Sequence, residues 1–221
     1  MKPHYFQEQG LGVFLDKPQS QGWLELFTNT QRGCSVPDLA EFYANCDVIQ
    51  GVVTSVVHGK QLSFNANQLG AILGVPAEGF GVYVRKDKSV LGATRLHQLT
   101  QRLSQQPTLK APWLVKKGGM TPLHHLLFWF VIKNIMPCGQ GYSLAAAMDI
   151  CYTDLLDQGE QINLPTIRIS HISRSTNTAR EHDLGYGFSS DFSFLAFRGA
   201  SVEESGGVGD GRDREQYLAW L

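Results

Sequence analysis

Cysteine is scarce in this sequence and poorly placed for a scaffold. Its 221 residues carry only Cys34, Cys46, Cys138 and Cys151, separated by twelve, ninety-two and thirteen positions, with no Cys-x-x-Cys pair. A small secreted disulfide framework is denser in cysteine and follows a signal peptide. The N-terminus, Met1-Lys2-Pro3-His4-Tyr5-Phe6-Gln7-Glu8, has no apolar core of the signal-peptide kind. Free thiols in a reducing, intracellular compartment are expected, nuclear or cytoplasmic. Long apolar runs are lacking too. The longest, Leu126 to Ile132, has seven residues, against the roughly 18 to 20 that span a bilayer, so a soluble chain without a membrane partner is expected. An excess of either charge is also missing: 19 Lys and Arg stand against 20 Asp and Glu, net −1. A nucleic-acid binder usually carries a basic excess to neutralise phosphates, and the overall balance offers none.

What is present is a globular composition, 43% hydrophobic and 18% charged, enough to build one domain with a core. Residues 1–20 are weakly patterned, broken by Pro3, Pro18, Gly10 and Gly12. Trp23, Leu24, Leu26 and Phe27 are the first expected core contacts. Ser35-Val36-Pro37-Asp38 reads as a helix start, followed by Leu39, Phe42, Tyr43 and Cys46 at helical spacing. Val48, Ile49, Val52, Val53, Val56 and Val57 are β-branched, and the turn His58-Gly59-Lys60 with Leu62 and Phe64 makes a hairpin over 48–64. Asn65 with Gln68 three residues on has the spacing of a capping box, and Gly74-Val75-Pro76 ends that helix.

Leu91, Leu96, Leu99 and Leu103 predict an amphipathic helix after an irregular excursion over 79–88. Thr121-Pro122 opens the most apolar helix of the chain, which Pro137 ends. Ser143 caps the next, with Leu144, Ala147, Met148, Cys151, Tyr152 and Leu155 on one side, and the two should pack antiparallel. Leu164-Pro165-Thr166 starts another helix carrying Ile167, Ile169 and Ile172. Residues 201–214 hold Glu, Gly, Asp and Arg with almost no apolar content, which predicts a disordered C-terminal tail. The fold class expected is α+β, mainly α: a compact helical domain with a small hairpin.

No catalytic, cofactor-binding or metal-binding residue emerges. His124 and His125 are adjacent and point about 100° apart on a helix, whereas a zinc pair needs i, i+4 spacing. Cys138, Cys151 and His171 have no spacing that demands a metal. Gly139-Gln140-Gly141 lacks the Gly-Lys-Ser/Thr continuation of a phosphate loop, and Gly206 to Gly211 precedes no apolar helix. Asp149, Asp154, Asp157 and Glu160 read as solvated face residues. Two short basic clusters, Arg85, Lys86 and Lys88, then Lys116 and Lys117, lie near Tyr83 and Trp113 and are the candidate nucleic-acid contacts.

Three blocks resemble the plant transposon protein domain family, found in many copies in plant genomes and associated with LTR retrotransposons. They are Glu41-Phe42-Tyr43-Ala44-Asn45; His58-Gly59-Lys60-Gln61-Leu62-Ser63-Phe64 continuing to Leu73-Gly74-Val75-Pro76; and Trp129-Phe130, Asn134-Ile135-Met136-Pro137 and Gly159-Glu160-Gln161-Ile162-Asn163-Leu164-Pro165. The resemblance covers about 23–187, and the layout is also similar to that of the plant mobile domain. It implies a mainly helical domain over 21–188 of element origin, a non-catalytic interaction module for nucleic acid or other element proteins, and it carries over no catalytic residue. A nuclease or integrase-like enzyme whose carboxylates converge in space is the alternative, and an element relic without function a third. After Gly185-Tyr186-Gly187-Phe188 the sequence departs from the family, which continues with an apolar helix. A frameshift or altered exon junction at Ser189 explains this, and an apolar continuation in a neighbouring frame of the source DNA tests it.

Overall fold

The computed structural model describes residues 3–8, 11–28, 35–83, 93–104, 119–136 and 147–181. The fold is mainly α with one small antiparallel sheet, the α+β class expected. The expected disordered tail, the cap expected at Ser143 and the helix end expected at Pro137 lie outside the described residues. The chain forms two compact units, each discontinuous: residues 25–77 with the segment from Leu164 onward, and residues 2–24 with 78–163.

The first unit opens on α3 (Leu24–Thr28), whose first residue is the last of the preceding segment, and continues with α4 (Val36–Ala44). Pro37 sits in its first turn and Asp38 at the positive end of its dipole, while Ser35 occupies the N-cap position without a side-chain capping bond. The hairpin expected over 48–64 is there, with one strand more: β1 (Asp47–Ile49), β2 (Val52–Val57) and β3 (Lys60–Phe64) form a meander. Both turns have two residues at positive φ, Gln50 and Gly51 in the first, His58 and Gly59 in the second. That backbone twist matches the strands it joins, and a run of valines interrupted by Gly51 becomes two strands instead of one. Val53, Ser55 and Phe64 are buried, while Ile49, Val52 and Val56 face outward.

The α4 helix is fastened across this sheet. Ser55 Oγ donates to Phe42 O at 2.7 Å, Asn45 Nδ2 to Val56 O at 2.9 Å, and the His58 backbone N–H to Glu41 Oε1 at 2.9 Å. The next helix, α5 (Ala66–Leu73), starts on the expected capping box, with Asn65 and Gln68 exchanging both bonds, and stops at Gly74 in the left-handed region. It packs on a long helix at the far end of the chain, α9 (Leu164–Glu181), which also covers β1 and β2. Gly70 permits that approach, since a Cβ there would lie 2.8 Å from Val75 O and 3.3 Å from the Pro165 ring.

The second unit starts with two helices where the sequence is weakly patterned, α1 (Pro3–Glu8) and α2 (Gly12–Ser20). Pro18 lies within α2, and Phe14, Leu15 and Pro18 face inward. After the boundary come α6 (Ala93–Ser104), α7 (Pro122–Phe130) and α8 (Ala147–Gln158). Leu96, Leu99 and Leu103 bury the expected face of α6, and α8 packs on both α6 and α7. Thr121 caps α7, which runs on into a π-helical turn at Val131–Ile135. Asn134, buried in that turn, donates through Nδ2 to Phe130 O at 3.0 Å, so its amide supplies a main-chain carbonyl with a partner.

Candidate functional site

Lys17, Arg102 and His124 meet the carboxylates of Asp154 and Asp157 at the C-terminal half of α8. Carboxylates near a helix C-terminus meet the negative end of the dipole, so each needs a compensating cation. Both have one. Arg102, near the end of α6, places Nη2 2.9 Å from Asp154 Oδ2 and Nε 2.8 Å from Oδ1. Lys17 of α2 reaches the Asp157 carboxylate at 3.4 Å and donates to the Asp157 main-chain carbonyl. It thereby caps the end of α8 while pairing with its acid.

Asp154 and Asp149 are buried, which corrects their reading as solvated face residues: α8 is buried on nearly every side because α6 and α7 both pack on it. Burial pushes the Asp154 carboxyl above its usual range, and the Arg102 guanidinium opposes that shift. Burial likewise raises the neighbouring Cys151 thiol to about 11, which leaves it protonated and unreactive at neutral pH. The Tyr152 hydroxyl is pushed up as well, by burial first, and donates to Val82 O at 2.7 Å. Cys46 and Cys151 are both buried.

His124 completes the cluster. Its Nε2 lies 3.3 Å from Asp157 Oδ2, and its Nδ1 lies 2.9 Å from Thr121 Oγ1 and 3.0 Å from Leu103 O. Thr, His and Asp in a chain have the composition of a hydrolytic triad, but the geometry serves another purpose. Thr121 Oγ1 already accepts the His124 backbone N–H as the cap of α7, and a main-chain carbonyl competes for the nitrogen that would draw its proton. The imidazole, 8% exposed, ties the start of α7 to the ends of α6 and α8. His125 points elsewhere, its Nε2 accepting the Trp129 indole N–H at 3.0 Å. Among the described residues, no group of three or more His, Cys, Asp or Glu side chains is arranged to hold a metal ion.

A second constellation surrounds the extended segment Glu160–Asn163. On one edge, the fully buried amide of Gln21 donates to Glu160 O at 2.8 Å and accepts the Ile162 N–H at 2.9 Å. On the other, Phe80 N–H donates to Gln161 O and Asn163 N–H to Phe80 O, both at 2.9 Å, in a parallel bridge. Alternate backbone groups thus point to opposite edges, as in a strand, with one neighbouring strand replaced by a side-chain amide. Gly79 is required beside it: a Cβ there would lie 2.2 Å from Gln161 O.

Lys17, Gln21 and Arg102 were not singled out in the sequence. The candidate nucleic-acid contacts Arg85, Lys86, Lys88, Lys116 and Lys117 lie outside the described residues. No helix among the described residues is long and apolar enough to cross a membrane. Compared with protein-family models, with curated proteins and with solved structures, the chain matches none.

Proposed function

We propose that this chain is a non-catalytic interaction domain derived from a plant transposable element, engaging nucleic acid or other element proteins. What supports the reading is how the residues that carry the resemblance are used. Glu41, Phe42 and Asn45 hold α4 to the sheet; His58 and Gly59 make its second turn; Gly74 stops α5. Trp129 and Asn134 bond within their own helix, and Glu160–Asn163 is the segment clasped by Gln21 and Phe80. These positions maintain a fold. The acids Asp154 and Asp157, which an enzyme of the nuclease class would use to bind metal ions, are each engaged by a cation.

The test is to incubate the full chain with labelled duplex DNA in Mg2+ or Mn2+, where neither cleavage nor strand transfer is expected. Metal-dependent cleavage that is lost in Asp154→Asn would overturn the reading in favour of a nuclease. Element origin is read from the source DNA, where Gag, protease or reverse-transcriptase frames are expected nearby.

A further inference from the structure

What the two ring nitrogens of a histidine face decides which protons it carries, and the adjacent His124 and His125 face opposite things. A main-chain carbonyl oxygen only accepts hydrogen bonds, so the His124 Nδ1, 3.0 Å from Leu103 O, carries a proton. A Thr121 hydroxyl donating to a bare Nδ1 would set that lone pair against the carbonyl. Thr121 Oγ1, at 2.9 Å, therefore shares the Nδ1 proton instead. With the first proton fixed there, Nε2 lies 3.3 Å from Asp157 Oδ2, an oxygen that also takes the Gln158 amide at 3.2 Å. In a neutral ring this Nε2 would turn its lone pair on a carboxylate; in an imidazolium it donates a charge-assisted bond. His125 is the converse: its Nε2 accepts the Trp129 indole N–H, which only a neutral ring can do.

We propose that His124 is held as the imidazolium and that its second proton ties α7 to α8, a proton-sensitive joint within the second unit. The surrounding charges do not all favour a cation there. Lys17 of α2, Arg102 of α6 and the positive end of α7's own dipole oppose it, while Asp157 and, one turn earlier on α8, Asp154 support it. Arg102 is already matched by Asp154. That leaves Lys17 and His124 dividing the Asp157 carboxylate, Oδ1 to the lysine and Oδ2 to the histidine. The ring is buried, so water does not replace the carboxylate as a partner for Nε2. Loss of the proton ends the tie to α8 and keeps those to Leu103 and Thr121. The start of α7 then stays fastened to α6 while its junction with α8 loosens. In the folded chain the ring thus holds a proton that an unfolded histidine, half-protonated at about pH 6.5, gives up. The stabilisation is complete below that pH and declines as the pH rises above it.

The test is a long-range 1H–15N spectrum of the isotope-labelled full chain at pH 7, where an exposed histidine is mostly neutral. Each ring is assigned through bonds from its own backbone. Both His124 ring nitrogens are expected in the protonated range, and His125 is expected with Nδ1 protonated and Nε2 bare. Asp157→Asn removes the charge at nearly constant shape, and its amide N–H can donate to a bare nitrogen. In that variant His124 should show a bare Nε2 and a protonated Nδ1. The urea midpoint of the wild type should fall between pH 6.5 and 8.5 by more than that of Asp157→Asn, a comparison in which the other histidines cancel. A bare nitrogen on His124 in the wild type at pH 7, an unchanged ring in Asp157→Asn, or equal midpoint losses in the two proteins overturns the inference.

Discussion

Replacing Gln21 by Leu is the substitution whose consequence the structure specifies most closely. The side chain is fully buried and makes two hydrogen bonds to one extended segment, at 2.8 and 2.9 Å. Leu keeps most of the volume and removes both partners. The Ile162 N–H, on a residue with no solvent exposure, is then left without an acceptor, which costs about 1–3 kcal/mol. Loss of the bond to Glu160 O adds about 1 kcal/mol, less if water reaches that carbonyl beside an exposed residue. The expected destabilisation is therefore about 2–4 kcal/mol, measured by urea unfolding, with faster hydrogen exchange concentrated at Ile162.

Gln21→Glu separates the two bonds. It retains the acceptor for Ile162 but opposes an ionised carboxylate to a carbonyl oxygen in a buried site. Burial raises such a carboxyl in the folded state, so the penalty is absent at acid pH and develops as the pH rises through its unfolded value of about 4.3. Protonated, the carboxyl can donate to Glu160 O and restore the second bond. Equal stability of Gln21→Leu and wild type, or a Gln21→Glu defect that does not change between pH 4 and 7, would refute the clasp.

Two further outcomes follow from close contacts elsewhere in the second unit. Gly79→Ala should destabilise by more than about 2 kcal/mol, since its Cβ would strike the Gln161 carbonyl from a backbone with φ of +96°; unfolding curves superimposable on wild type would contradict it. Arg102→Gln should cost about 1–3 kcal/mol at pH 7, the partly exposed guanidinium limiting the loss, because it leaves the buried Asp154 unpaired. The Asp154 carboxyl is raised, so its charged form is the disfavoured one. The Arg102→Gln defect should therefore shrink as acid protonates Asp154 and grow again as the pH rises past its folded value. A defect of constant size in denaturant titrations from pH 4 to 7 would show that Asp154 does not need the arginine.

Much of the local structure was legible before any coordinates, and for one reason: each signal depended on neighbours within four residues. Asn65 and Gln68 cap α5 because their side chains and backbones already lie three positions apart. Thr121-Pro122 starts α7, and the leucine spacing of α6 buries the face it marks. The valine-rich run was harder, because β-branched residues favour a strand without saying where it turns, and Gly51 was the only clue to the extra reversal.

What no local pattern carried is the pairing of residues far apart in the chain. Arg102 and Asp154 are separated by 52 positions, Gln21 and Ile162 by 141. Aspartates that read as solvated from sequence became buried because two helices close over α8, and an isolated glutamine near the N-terminus became half of a strand pairing. The sequence determined where the chain coils, extends and reverses, through the backbone preferences of individual residues. Only the tertiary structure decided which charges lie inside and what neutralises them, since desolvation and ion pairing depend on neighbours that folding alone brings together.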